Sequence, residues 1–258
     1  MIKDFLKKLL FSIKPLSYLA RYSYNSYLSK KRVKNQFHDF YKLSMDERFD
    51  LKWSNRILCL DDNTSNTGFD RHYIYHPAWA ARVLVKITPE KHIDVSSTLS
   101  FASTISAFIN VEFYDFRPAN IKLSNLVSKA ADLTNLPFEN GTISSLSCMH
   151  VVEHVGLGRY GDPIDPYGDI KAINELKRVL SYDGNLLFVV PVGKPVIYFN
   201  AHRVYSYEQI ISYFSDLELV EFALIPENEN DGGLNYHANA EDVAMQEYGC
   251  GCFWFRKK

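Results

Sequence analysis

Three aspartates in the middle of this 258-residue chain, Asp94, Asp115 and Asp132, each stand at or just beyond the end of a short apolar run. An acid about 20 residues after the first strand–helix turn is where a ribose diol can be held by two hydrogen bonds. Asp115 stands in that relation to the turn Asp94-Val95-Ser96-Ser97-Thr98. Asp132 follows a third short run, where it can accept from an adenine amino group. Ser96 and Ser97 offer small hydroxyls and backbone amides at the turn, and His150 ends a fourth run. Asp94, Ser96, Ser97, Asp115, Asp132 and His150 therefore make a nucleoside-type ligand the first chemistry to expect.

A second group follows His150. The spacing His150-Val-Val-Glu153-His154 matches H-x-x-E-H, a zinc-peptidase pattern that requires both histidines on one helix face. Here it closes a β-rich run, so no metal is expected. Beyond it, the loop 156–169 sets Arg159, Tyr160, Asp162 and Asp165 among glycines and prolines, where they can face a second ligand above the sheet or simply be solvated. Asn200, His202 and Arg203 follow the next strand and approach the same cleft. Carboxylates and an amide beside an aromatic ring suit sugar hydroxyls, so Glu153, Arg159, Tyr160, Asp165, Asn200 and Arg203 are the expected substrate contacts. Arg203 would hold a phosphate or carboxylate in its fork.

The elements that position these residues alternate in period. Short strands are expected at 92–95, 111–116, 142–152, 185–192, 217–225 and 252–257. Helices are expected at about 76–87, with Pro77 in the first turn, and at 99–108, 120–127, 169–180, 206–214 and 240–247. The turn Ser181-Tyr182-Asp183-Gly184 places Gly for a positive φ. Alternating β and α units predict an α/β fold: a Rossmann-like, doubly wound, mainly parallel seven-stranded sheet covered by helices on both faces. Ligands bind such sheets at the carboxyl ends of the strands.

Composition bounds the rest. Lys+Arg 29 against Asp+Glu 30 gives a net charge of −1 and no footprint of a nucleic-acid binder. Residues 1–37, however, hold nine basic side chains against Asp4 alone, which leaves the remainder acidic. Ile2, Phe5, Leu6, Leu9, Leu10 and Ile13 recur at helical spacing between lysines, with Pro15 breaking that helix. The stripe suits either an anionic inner-membrane surface or packing on the protein's own core or a second subunit of a homo-oligomer. Residues 1–45 thus read as a basic amphipathic helical extension, 46–75 as an irregular connection and 76–258 as the Rossmann domain. Four cysteines make no disulfide scaffold and point to reduced thiols in the cytoplasm.

The segment Asp132-Leu133-Thr134-Asn135-Leu136-Pro137-Phe138 resembles the "D-x-x-x-LPF" block of class I S-adenosylmethionine-dependent methyltransferases. The resemblance continues through SSLSCMHVVEHV and AINELKRVLSYDGNLLFVVPVG and covers about residues 90–225. GLGRYGDPIDPYGD and FNAHRVYS resemble a methyltransferase-like branch from bacterial surface-polysaccharide gene clusters. The resemblance implies S-adenosylmethionine as cofactor, held by the nucleoside-site residues together with Leu133. It implies a sugar or glycan-precursor acceptor. It departs at the first loop, where Ser96-Ser97-Thr98-Leu99-Ser100 contains no glycine.

Methyl transfer is an in-line displacement governed by positioning, and a hydroxyl acceptor must also lose its proton. His154 and His202 are the expected bases, since imidazole titrates near neutrality, with Asp162 as the third candidate. Two rival expectations keep the fold. In one the adenosyl site is lost and the pocket takes a nucleotide-sugar. In the other the domain is a non-catalytic module docked at the membrane through residues 1–37.

Overall fold

The computed structural model describes residues 14–44 and 48–258, so the apolar stripe between Ile2 and Ile13 lies outside the described residues. The chain forms two compact units, Met1–Gly68 and Phe69–Lys258.

In the first unit, helix α1 spans Lys14–Leu43. Pro15 stands in its first turn, where its missing N–H has no intrahelical partner to lose, and the helix expected ahead of Pro15 lies outside the described residues. Phe37 meets Trp53 edge-on at 5.1 Å between ring centroids, and Arg56 stacks on the same indole. No helix among the described residues is long and apolar enough to cross a membrane.

The second unit carries the sheet. Its strands are β1 (Lys91–Val95), β2 (Asn110–Asp115), β3 (Leu126–Ala130), β4 (Ile143–Met149), β5 (Leu180–Val192), β8 (Leu217–Ile225) and β9 (Gly249–Lys257), with a separate hairpin of β6 (Val196–Tyr198) and β7 (His202–Val204). The seven strands run in the order β3-β2-β1-β4-β5-β9-β8. All are parallel except β9, which is antiparallel to both β5 and β8. This is the expected doubly wound sheet, its order reversing beside β1.

Helices α2 (Arg71–Ile87) and α3 (Leu99–Ile105) cover one face, where Trp79, Val83, Leu84, Phe101 and Ile105 meet Phe113, Val189, Ile225 and Cys252. Helix α4 (Gly168–Val179), with α5 (Tyr207–Tyr213) and α6 (Ala240–Ala244), covers the other, where Ile173, Leu176, Ile210 and Val243 meet Leu146, Phe188, Phe253 and Phe255. Both cysteines of Cys250-Gly-Cys252 fall on one face, as strand alternation requires.

Three local expectations are corrected. Helix α2 starts five residues before His76, because Asp70 caps it by accepting from Tyr73 N, and Pro77 lies inside it. Residues 120–127 form no helix; Leu126 and Val127 begin β3, held by β2 along its whole length. The positive φ in the turn after α4 belongs to Asp183, at 57°. Gly184 is needed for space instead, since a Cβ there would lie 2.7 Å from Ser181 O.

Candidate functional site

The carboxyl ends of β1, β2 and β4 open on a cavity of about 510 Å³, a volume typical of small-molecule sites. Ser96, Ser97, Asp115, Asp132, Leu133, His150, His154, Tyr160, Asp162 and Asp165 all line it. A second cavity shares Tyr73, His150 and His154 with the first and adds Glu153, Arg159, Asn200, His202 and Tyr248. Strand ends far apart in sequence are thus brought to one crevice, as the topology predicts.

Asp115 Oδ1 accepts from Arg117 N at 2.7 Å, and its Oδ2 has no protein partner among the described residues. Asp132 Oδ1 accepts both the amide and the hydroxyl of Thr134, at 2.8 and 2.7 Å, again leaving Oδ2 unpartnered. Ser96 supplies what a glycine would: it adopts φ 55°, and its amide donates to Tyr114 O at 2.7 Å. Such left-handed backbone is costly for a residue with a Cβ and concentrates at functional sites. His150 (φ 58°) and Asn200 (φ 60°), both beside the cavities, share it.

Asp94 is corrected from ligand to support. It is fully buried and does not line the cavity. Its Oδ1 accepts from Ser97 N, its Oδ2 from Ser147 Oγ, and burial raises it to about 6 against those hydrogen bonds. Ser97 Oγ in turn accepts from Met149 N, so the carboxyl clamps the β1 turn to β4.

Glu153 lies completely buried between two imidazoles, 2.9 Å from His150 Nδ1 and 3.7 Å from His154 Nε2. Burial pushes its carboxyl up, but the His150 hydrogen bond and the neighbouring imidazoles outweigh that, and the net direction is down. Its Oε1 is thereby committed to orienting the two histidines. His154 Nδ1 lies 2.6 Å from Ala201 O, which requires its proton on Nδ1 and leaves Nε2 as the basic nitrogen. Arg159 Nη1 reaches the same carbonyl at 3.3 Å. His202, wedged against Tyr198 and Tyr248, is held below its ordinary value by burial. The guanidiniums of Arg117 and Arg159 lie over the Tyr160 ring, 4.6 and 5.1 Å from its centroid.

Three expected site residues are claimed by the scaffold. Asp162 takes the amides of Gly156 and Gly158 on Oδ2 and of Tyr160 on Oδ1. Burial raises it, but these backbone donors prevail and hold it below its ordinary range, so it is no proton acceptor at neutral pH. Asp165 pairs with Lys171 Nζ at 2.6 Å and accepts from Tyr167 N. Arg203 is only 4% exposed and lines neither cavity. Its guanidinium reaches Glu153 O, Val155 O and Pro166 O and pairs with Asp169, so no fork is left for a substrate anion.

Sequence reasoning missed His72, Tyr73, Tyr248 and Cys250, because it looked only at the ends of parallel strands. The first two come from the opening turn of α2, ahead of the sheet. Tyr248 and Cys250 come from the start of β9, which an antiparallel strand brings to the carboxyl edge. His72 lies between the rings of His150 and Tyr248, at 5.2 and 5.0 Å.

The fold and this crevice define the class I methyltransferase architecture. A protein from Galdieria sulphuraria provisionally assigned as a sarcosine dimethylglycine methyltransferase shares it at TM-score 0.50 and 12% identity, over 70% of this chain and 85% of that one. The N-methyltransferase NodS from Bradyrhizobium japonicum, solved with S-adenosyl-L-homocysteine, is similar at TM-score 0.49 and 14% identity, over 70% and 85% of the two chains. A TehB-like methyltransferase from Corynebacterium glutamicum gives 0.47 and 16%, over 72% and 89%. No curated protein sequence matches the chain. The chain belongs to the family described as "Caenorhabditis protein of unknown function, DUF268", whose model matches residues 99–243.

Proposed function

We propose that this protein is an S-adenosylmethionine-dependent methyltransferase acting on a sugar hydroxyl, or a sugar-linked group, of the kind carried by bacterial surface-polysaccharide precursors. One observation carries the cofactor reading. Asp115 and Asp132, beyond the ends of β2 and β3, each keep a carboxylate oxygen without a protein partner in the cavity that the Ser96-Ser97-Thr98 turn also lines. That donor and acceptor set fits a nucleoside: Asp115 for the ribose diol, Asp132 for the adenine amino group, and Leu133 as an apolar wall.

When bound, the cofactor supplies an electrophilic methyl group on a sulfonium. The chain's own residues then have two tasks, to align the acceptor and to take its proton. His154 Nε2 is the base we assign, because the Ala201 carbonyl fixes the other nitrogen as N–H. Glu153, 3.7 Å away, stabilises the imidazolium that results. Tyr160, on the first cavity, and the Asn200 amide, on the second, support a sugar acceptor.

Titration calorimetry with S-adenosylhomocysteine tests the reading. Micromolar binding is expected, weakened about 10- to 100-fold in Asp115→Ala, as for loss of a charged hydrogen-bond acceptor. Failure of the wild-type protein to bind would overturn the assignment and leave the fold with another ligand.

A further inference from the structure

Buried beside His150 are polar atoms that no group among the described residues satisfies. His76 is fully buried and neither ring nitrogen has a partner; Glu153 Oε2 is buried and equally alone. Buried polar atoms in native proteins are paired with very few exceptions, and each exception calls for a water, an ion or a function. Beside these atoms, His72, His150 and Cys250 each offer a ligand atom within 4.8 Å of the others, and all three are buried.

We propose that His72, His150 and Cys250 form a site for a borderline-soft transition-metal dication, with zinc as the fitting physiological ion. The site shares His150 with the wall of the first cavity, and its other two ligands line neither cavity. The donor set is two imidazoles and a thiolate, the ligands that zinc prefers over the oxygen-seeking magnesium and calcium. The spacing fits as well. Cys250 Sγ lies 3.4 Å from His150 Nε2. A thiolate and an imidazole on one tetrahedral zinc, with arms of about 2.3 and 2.0–2.1 Å, stand about 3.5 Å apart.

Glu153 completes the argument. Its Oε1 holds His150 Nδ1 at 2.9 Å, so the proton sits on Nδ1 and the Nε2 lone pair faces the sulfur. A carboxylate behind a ligating histidine is the usual outer shell of a zinc site, fixing the tautomer and raising basicity. The H-x-x-E-H spacing contributes only its first histidine and its glutamate here. His154 is held by Ala201 O and is not among the three ligands. On ion binding the Cys250 S–H bond breaks, its electron pair goes to the metal and its proton to solvent. His72 lies nearly parallel to His150, with an interplanar angle of 19°, and must tilt to share the ion. Three protein ligands leave a fourth position, as catalytic rather than structural zinc sites do.

The test is a cobalt(II) titration of the full chain after treatment with a chelator and a thiol reductant. One cobalt ion per chain is expected, with a near-ultraviolet sulfur-to-cobalt charge-transfer band that zinc abolishes by displacement. Cys250→Ser should lose that band, and Cys252→Ser, two residues along the same strand, should keep it. Glu153→Gln should keep the band and weaken the affinity about 10- to 100-fold. Absence of the band in the wild-type protein, or its survival in Cys250→Ser, overturns the proposal. If Cys250→Ser does not fold, His72→Asn decides: a band of unchanged shape and affinity there sinks the site. S-adenosylhomocysteine binding, measured on the same samples, reports separately on the cofactor assignment.

Discussion

His92 and Asp94 share one hydroxyl. Ser147 Oγ donates to Asp94 Oδ2 and lies 2.8 Å from His92 Nε2. A serine has a single proton to give, so His92 must donate from Nε2, and its Nδ1 must accept from Ser145 Oγ at 2.8 Å. Four polar side chains buried among the β1 and β4 residues are thereby reduced to one hydrogen-bond pattern with a neutral imidazole.

That pattern predicts opposing pH dependences. Burial holds Asp94 up at about 6, so its contribution to stability is fully present below about pH 4 and is lost as pH rises through 6. Burial holds His92 down at about 3, so the folded state resists protonation and stability falls as pH drops below 6.5. Between pH 4 and 6 the two slopes oppose each other. Asp94→Asn removes the first and should make urea stability fall more steeply on acidification than in the wild type. An unchanged slope would mean that Asp94 is not the titrating group.

Ser96 spends its loop in a glycine conformation. Ser96→Gly removes that strain and loses only the 3.2 Å bond from Ser96 Oγ to Tyr114 O. A net gain of about 0.5 kcal/mol is expected, or about 1–2 °C in melting temperature for a domain of this size. S-adenosylhomocysteine should still bind. A lower melting temperature would show that the hydroxyl outweighs the backbone.

Arg203 tests the distinction between scaffold and site. Arg203→Met strips Asp169 of its ion pair and leaves three carbonyls without their donor. Breaking a buried pair from one side costs about 3–5 kcal/mol, which a urea melt would register. Ligand affinity measured well below the midpoint should be unchanged. Loss of affinity without loss of stability would return Arg203 to the substrate site.

His154→Asn should leave S-adenosylhomocysteine affinity intact and cut methyl transfer to a sugar acceptor by about 10²–10⁴-fold, the range for a general base. The same substitution at His202 should cost less, because burial already lowers its basicity. Equal losses at both positions would argue for a shared relay.

The sequence made the sheet legible because its central strands are apolar on both faces and bounded by turns. The run Leu217–Ile225 coincides with β8 residue for residue. Residues 120–127 were not legible, since Leu123 and Val127 fit a helical period while β2 decides the outcome by pairing. Strand-end logic put Asp115 and Asp132 on the cavity because their position follows from topology. It did not foresee that backbone amides take up Asp162 or that carbonyls hold Arg203 away from both cavities, because residue type does not reveal which backbone groups will claim a side chain. His72 and Cys250 were hidden for a different reason. They come up behind His150 only through α2 packing on the sheet and through the reversed direction of β9.

The placement of β9 also sets an order of events during synthesis. β8 leaves the ribosome first, yet its only neighbour in the sheet is β9. Until residues 249–257 emerge, the edge of β8 that faces β9 is bare, and Asn235 bridges only Leu224 on the other edge. Non-local pairing of this kind is slow, and an exposed apolar strand invites aggregation. A chain truncated after Gln246 and released should therefore be a strong chaperone client, and the chain through Lys257 should not.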